Sequence, residues 1–314
     1  MGQKHAIVYS IFFGVFLFVF SLLIGCSPPS SPVENTGPRL VATTTLLADL
    51  ARQIGSGAIA VDCLMGPGVD PHLYQASTGD VQKIQNADFI LHTGLHLEGK
   101  MGDIFTSLKQ GGYQIICLED GLNPASLLPS SPGSAMYDPH IWFSISLWKE
   151  GAAHLANQLS AADPDNAAVY QQNAAAYSKE LDALDAYIRS RIEELPKTRR
   201  ILITAHDAFR YFGAAYGFEI HGLQGIATDA EAATSTIIHL ADFIVSNEMN
   251  AIFTETSVSP KAMEALKAAV EARGHVISIG GALYSDSLGD SSSGADTYIR
   301  TFRANIDTII DALK

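Results

Sequence analysis

Three of the ten histidines stand where a chain could gather them around a metal ion. His72 lies in Gly66-Pro67-Gly68-Val69-Asp70-Pro71-His72, after an apolar run, and His140 in Asp138-Pro139-His140-Ile141-Trp142, at the end of a Ser/Pro/Gly loop. His206 opens His206-Asp207-Ala208-Phe209, directly after the apolar run 201–204. Imidazole suits divalent zinc and its neighbours, and proline fixes the backbone beside His72 and His140. An oxygen donor is available from the polar loop 284–290, in which Asp286 is the candidate. Glu255, closing the run 251–254, either accepts a hydrogen bond from a ligating imidazole or makes a salt bridge at the surface or core edge. His92 and His96 would share a face on a helix, but Gly94 and the run before them argue against one. His154, His239, His221 and His275 read as packing or surface residues.

These side chains must be positioned by the elements between them. Runs at 40–45, 59–65, 89–93 and 113–118 are short, apolar and rich in β-branched residues, as buried strands are. The series restarts at 200–204, 218–221, 251–254 and 276–279. Helix-like segments separate the runs, which predicts parallel βαβ units in two α/β lobes of four strands each. The edge where strands end and helices begin is where such sheets bind ligands. Asp163-Pro164 suits a helix start, and no Gly or Pro follows until Pro196. One helix of about 31 residues, roughly 46 Å long, is expected there as a stiff spine. A capping box at Thr228 to Glu231 and Ser259-Pro260 each predict a helix start, and 296–313 reads as a closing amphipathic helix.

The chain has 314 residues, 20 Lys plus Arg against 33 Asp plus Glu, and a net charge of −13. An apolar fraction of 47% supports a packed core, and the acidic balance argues against nucleic acid as a partner. Lys4 precedes an apolar run from Ile11 to Ile24, too short for a comfortable span and suited to a signal peptide. It ends in Leu23-Ile24-Gly25-Cys26, which resembles a lipobox and so implies cleavage before Cys26 and lipidation of that residue. Residues 26–38 then read as a flexible tether. The remaining Cys63 and Cys117 are either a disulfide or two buried thiols. The expected division is 1–25 signal, 26–38 tether, 39–162 first lobe, 163–195 linker helix and 196–314 second lobe.

Taken together, the lipobox, both Asp-Pro-His motifs, Gly94-Leu95-His96-Leu97-Glu98, His206-Asp207-Ala208-Phe209, Gly222-Leu223-Gln224-Gly225 and Ser285-Asp286-Ser287-Leu288-Gly289 resemble one family. It is that of the zinc/manganese solute-binding lipoproteins of ABC importers, TroA type, over residues from about 39 to the C-terminus. The resemblance implies two α/β lobes on a rigid helix, with His72 and His140 from the first lobe and His206 and Asp286 from the second holding one Zn²⁺ or Mn²⁺. It implies a lipid-anchored, extracytoplasmic monomer, in the periplasm or on the outer face of the membrane, serving a permease and its cytoplasmic ATPase. Three imidazoles and one carboxylate suit tetrahedral Zn²⁺. Some relatives carry Glu at the position of His206, which favours Mn²⁺; the absence of His from 122–137 removes one mark of zinc specialists and leaves both ions open. Ligand imidazoles must be deprotonated, so affinity is expected to fall below about pH 6.5. Two rival readings are a surface adhesin, for which no repeat or stalk speaks, and a metal-dependent phosphohydrolase, which would need His206-Asp207 in an all-helical fold.

Overall fold

The structure is a computed structural model describing residues 37–314; the leader and the tether up to residue 36, Cys26 included, lie outside the described residues. Strands form at all eight apolar runs: β1 Arg39–Ala42, β2 Ala60–Cys63, β3 Phe89–His92, β4 Gln114–Cys117, β5 Ile201–His206, β6 Glu219–Gln224, β7 Ala251–Glu255 and β8 Ser278–Leu283. Helices α1 Thr45–Gly55, α2 Thr78–Gln85, α3 Gly102–Gln110 and α4 Ile145–Ala162 belong to the first lobe, and α5 Ala167–Glu193 leads to the second. There α6 Arg210–Tyr216, α7 Thr234–Ser246, α8 Lys261–Glu271 and α9 Tyr298–Leu313 follow. The first four strands make one parallel sheet in the order β2-β1-β3-β4. The other four make two parallel pairs, β5–β6 and β7–β8, with β5 beside β7. A side chain joins the pairs at their ends: the backbone N–H of His206, last in β5, donates to Glu255 Oε1, last in β7, at 2.9 Å.

Alternation along each strand divides the apolar side chains between two faces. Leu40 and Ala42, Phe89 and Leu91, Leu202 and Phe253 all enter one central core. Their neighbours Val41 and Ile90 face a separate cluster with Ile84 and Met101, while Ile203 and Ile252 face another with Leu240 and Leu266. The central core takes Leu184 and Ile188 from α5 and Ile306 and Ile310 from α9, so it runs from the first lobe into the second without interruption. Aromatic rings fill its middle: Phe143 lies 4.3 Å from Phe209 and 5.3 Å from Phe302, and Trp148 stacks on Tyr298 at 4.9 Å.

The spine begins with a 3-10 turn at Pro164–Asn166 before α5 proper. Asp163 serves this start by side-chain bonds, accepting from Asn166 Nδ2 at 2.8 Å and from Tyr170 Oη at 2.6 Å. Tyr170, Tyr177, Leu181, Leu184, Ile188 and Ile192 form the buried stripe of α5, at the three- and four-residue spacing of an amphipathic helix. The far end is tied to α9, where Arg191 reaches Asp307 at 2.8 Å and Asp311 at 2.7 Å.

One expectation is corrected and one open alternative is decided. The capping box at Thr228 to Glu231 does not form, since α7 begins at Thr234 with no side-chain cap, and the Thr228 hydroxyl is engaged by Asp70 instead. Nor are Cys63 and Cys117 joined. They lie on β2 and β4, the two outer strands of the sheet, three strand spacings or about 14 Å apart, twice the Cα separation a disulfide spans. Both are free thiols, raised by burial to about 11 and about 12 respectively, so little of either is the reactive thiolate at neutral pH.

Candidate metal centre

The carboxyl ends of β5, β7 and β8, together with the loops after β2 and β4, converge on one point. His206 ends β5 and Glu255 ends β7, Asp286 follows β8, and His72 and His140 arrive on Asp-Pro-His turns. In each turn the Asp carboxylate accepts the His backbone N–H, at 2.8 Å from His72 and 3.0 Å from His140. The repeated motif thus makes the same local bond twice and presents an imidazole each time.

One donor atom from each of His72, His140, His206 and Asp286 lies within 4.8 Å of the others. The Nε2 of His140 is 3.3 Å from that of His72 and 3.2 Å from that of His206. Asp286 Oδ1 is 3.6 Å from the His140 nitrogen and 3.5 Å from the His206 nitrogen. Four donors on a tetrahedron with bonds near 2.0–2.1 Å stand about 3.3 Å apart; the four separations around His140, His206 and Asp286 match edges of a zinc-sized polyhedron, and the His72–Asp286 edge is longer, within 4.8 Å. Asp286 Oδ1 is also buried with no hydrogen-bond partner. A buried carboxylate oxygen without one is costly, and a cation at the centre removes the cost.

Partners behind the rings fix which nitrogen points inward. Asp138 Oδ1 lies 2.7 Å from His140 Nδ1 and Glu255 Oε2 lies 2.5 Å from His206 Nδ1. Each carboxylate holds a proton on Nδ1 and leaves Nε2 for the metal. Glu255 therefore faces the cleft and takes two hydrogen bonds from one residue. Asp138 is the partner that sequence reasoning missed; its signal was the Asp-Pro-His repeat, read only for its proline. Ser257 was missed as well: its hydroxyl donates to Asp286 Oδ2 at 3.1 Å. His92 stacks on Phe105 at 4.3 Å, and His96 sits exposed at φ 63°. Among the described residues the four-residue group is the single cluster of its kind.

Charge is arranged around the ligands. Burial holds His72 down at about 4, so it is neutral and ready to ligate through the whole physiological range. Burial also pulls His206 down, but Glu255 and Asp286 together outweigh it and raise this imidazole well above the ordinary value. For Asp286 burial opposes ionisation, and His206, His140 and His72 overcome it, keeping the carboxyl well below the usual range. The two carboxylates thus favour a proton on His206. An ion must displace that proton, so affinity rises with pH until the medium passes the raised value of His206, and the fall-off sits higher than an ordinary imidazole would put it. Calorimetric titration with Zn²⁺ at pH 7 in two buffers of different ionisation enthalpy is expected to show about one proton released per ion; a count near zero would contradict this protonation state.

Comparison with known proteins follows the same lines. Residues 40–312 match the family model described as zinc-uptake complex component A, periplasmic. The zinc-binding protein TroA of Treponema pallidum is 44% identical over 276 residues, covering 88% of this chain and 89% of the relative. The manganese-binding lipoprotein MntA of Bacillus subtilis is 40% identical over 299 residues, covering 95% and 97%. The solved structure of the periplasmic zinc-binding protein TroA superposes with a TM-score of 0.85 over 88% of this chain and 99% of that one.

Proposed function

The chain belongs to the family of zinc-uptake complex component A proteins, and from that premise we propose that it binds one Zn²⁺ or Mn²⁺ outside the cytoplasm and delivers it to an ABC importer. His72, His140, His206 and Asp286 are the ligands in this reading, with Asp138 and Glu255 orienting two of the rings. The single observation that carries it is the convergence of three imidazole nitrogens and an unpartnered buried carboxylate oxygen within 4.8 Å of one another. Three neutral imidazoles and one carboxylate leave a divalent ion at about +1, which favours Zn²⁺ over the harder Mn²⁺. The name of the Bacillus relative supports Mn²⁺ as a second cargo. Cleavage before Cys26 and its lipidation would anchor a monomer to the membrane, a reading supported by relatives named as lipoproteins. The division into 39–162, 163–195 and 196–314 assigns two ligands to each lobe and the spine to neither. Family membership supports a transport component over an enzyme.

Elemental analysis of the purified, dialysed protein, followed by competitive titration with Zn²⁺ and Mn²⁺, tests the proposal. One tightly held equivalent is expected, with Zn²⁺ displacing Mn²⁺. A protein retaining no equivalent of either ion would sink it.

A further inference from the structure

The four ligands are not held alike. His140 and His206 each have a carboxylate at Nδ1 and are fully buried. His72 is the most exposed of the four, at 8%, and its hydrogen-bonding contacts are its backbone N–H to Asp70 and its Nε2 facing His140. Where Asp138 turns its carboxylate onto its own histidine ring, Asp70 turns Oδ2 away, to the hydroxyl of Thr228 at 2.5 Å. Thr228 lies in the second lobe between β6 and α7, so this bond crosses from one lobe to the other.

A cavity of about 500 Å³ lies beside that bond, lined among others by Asp70, Leu73, Gln224, Thr228, Glu231 and Ser257. It is lined by a neighbour of the ligand set from each lobe: Asp70 carries the His72 turn, and Ser257 donates to Asp286. Gln224, which lines it, also holds a buried Oε1 without a hydrogen-bond partner. Trp142 packs against His140, the ring centroids 5.2 Å apart, and its Nε1 donates to the Ser285 carbonyl at 2.8 Å.

The geometry points to Asp70 and Thr228 as a latch that sets how fast the metal enters and leaves, with this cavity as the passage and His72 as the ligand that swings first. The inference rests on the metal-binding reading above. A latch that must open for passage in either direction slows both, so breaking the Thr228–Asp70 bond lowers the barrier both ways. Thr228 is thus a positioning residue for the ligand turn, and it touches no metal itself.

Stopped-flow transfer of Zn²⁺ to an excess of chelator, and its uptake by metal-free protein, test this on the full chain in detergent. Thr228→Val is expected to accelerate both release and uptake about tenfold, the effect of losing one hydrogen bond to a charged group, while Kd changes less than about threefold. Thr228→Ser restores the wild-type rates, and Thr228→Ala repeats the acceleration without the bulk of valine. Unchanged rates in fully loaded Thr228→Val and Thr228→Ala overturn the latch while leaving the metal site intact. A weakened Kd at unchanged uptake rate, or no rescue by serine, overturns it as a general loss of structure. A wild-type chain that takes up no ion removes the metal-binding reading and the latch together.

Discussion

Replacing Asp286 by alanine is expected to weaken Zn²⁺ binding by roughly 10²–10⁴-fold, read by competition with a chelator of known affinity. Removing one partner of a buried ion pair costs about 3–5 kcal/mol, and every 1.4 kcal/mol is tenfold. Asp286 is 1% exposed and supplies the only negative charge among the four ligands. Without it a divalent ion would sit at about +2 among three imidazoles in a largely dry site. Asp286→Asn separates charge from shape: it keeps the volume and an acceptor for Ser257, and should bind nearly as poorly as the alanine variant. Binding within fivefold of wild type in both variants would mean that Asp286 is not a ligand.

The second large effect is expected from Glu255→Gln, which touches no metal. Glu255 is buried and accepts from both the backbone N–H and Nδ1 of His206. A glutamine has one oxygen and one NH₂ for these two positions. If its NH₂ faces the ring, Nδ1 becomes the acceptor and the ring proton moves to Nε2, where the ion must bind. If its oxygen faces the ring, the NH₂ meets the backbone N–H. Either arrangement is unfavourable, and Zn²⁺ affinity should drop about 10–100-fold, the usual range for partners behind a ligand. The loss should come with a lowered His206 pKa in the metal-free protein, followed by NMR of the imidazole, because Glu255 is a principal cause of its elevation. Unchanged affinity and an unchanged titration would show that the contact is incidental.

Much of this site is legible in the sequence. Strands announce themselves through short apolar runs, so the eight elements and the ligand-bearing turns after them follow from local pattern. Proline beside His72 and His140 is equally local. What depends on strand order is not: that β2 and β4 are the outer strands, and hence that Cys63 and Cys117 are remote, is fixed by tertiary pairing. The same holds for Thr228, whose spacing from Glu231 satisfies a capping rule while its hydroxyl goes to Asp70, 158 residues away in sequence. Asp138 lay between these cases. Its motif was visible, but whether a carboxylate turns back on its own histidine or reaches across to another lobe is decided by what stands opposite.

The uninterrupted core between the lobes bears on how an ion is chosen. Swinging the lobes apart would uncover the contacts of Phe143, Phe209 and Phe302, at about 25 cal/mol for each Å² of apolar surface exposed. Binding of one ion is therefore not spent on reshaping the molecule around it. With the lobes fixed by that core, discrimination is exercised as by a mould: an ion whose preferred bond lengths or coordination number differ must bear the mismatch itself.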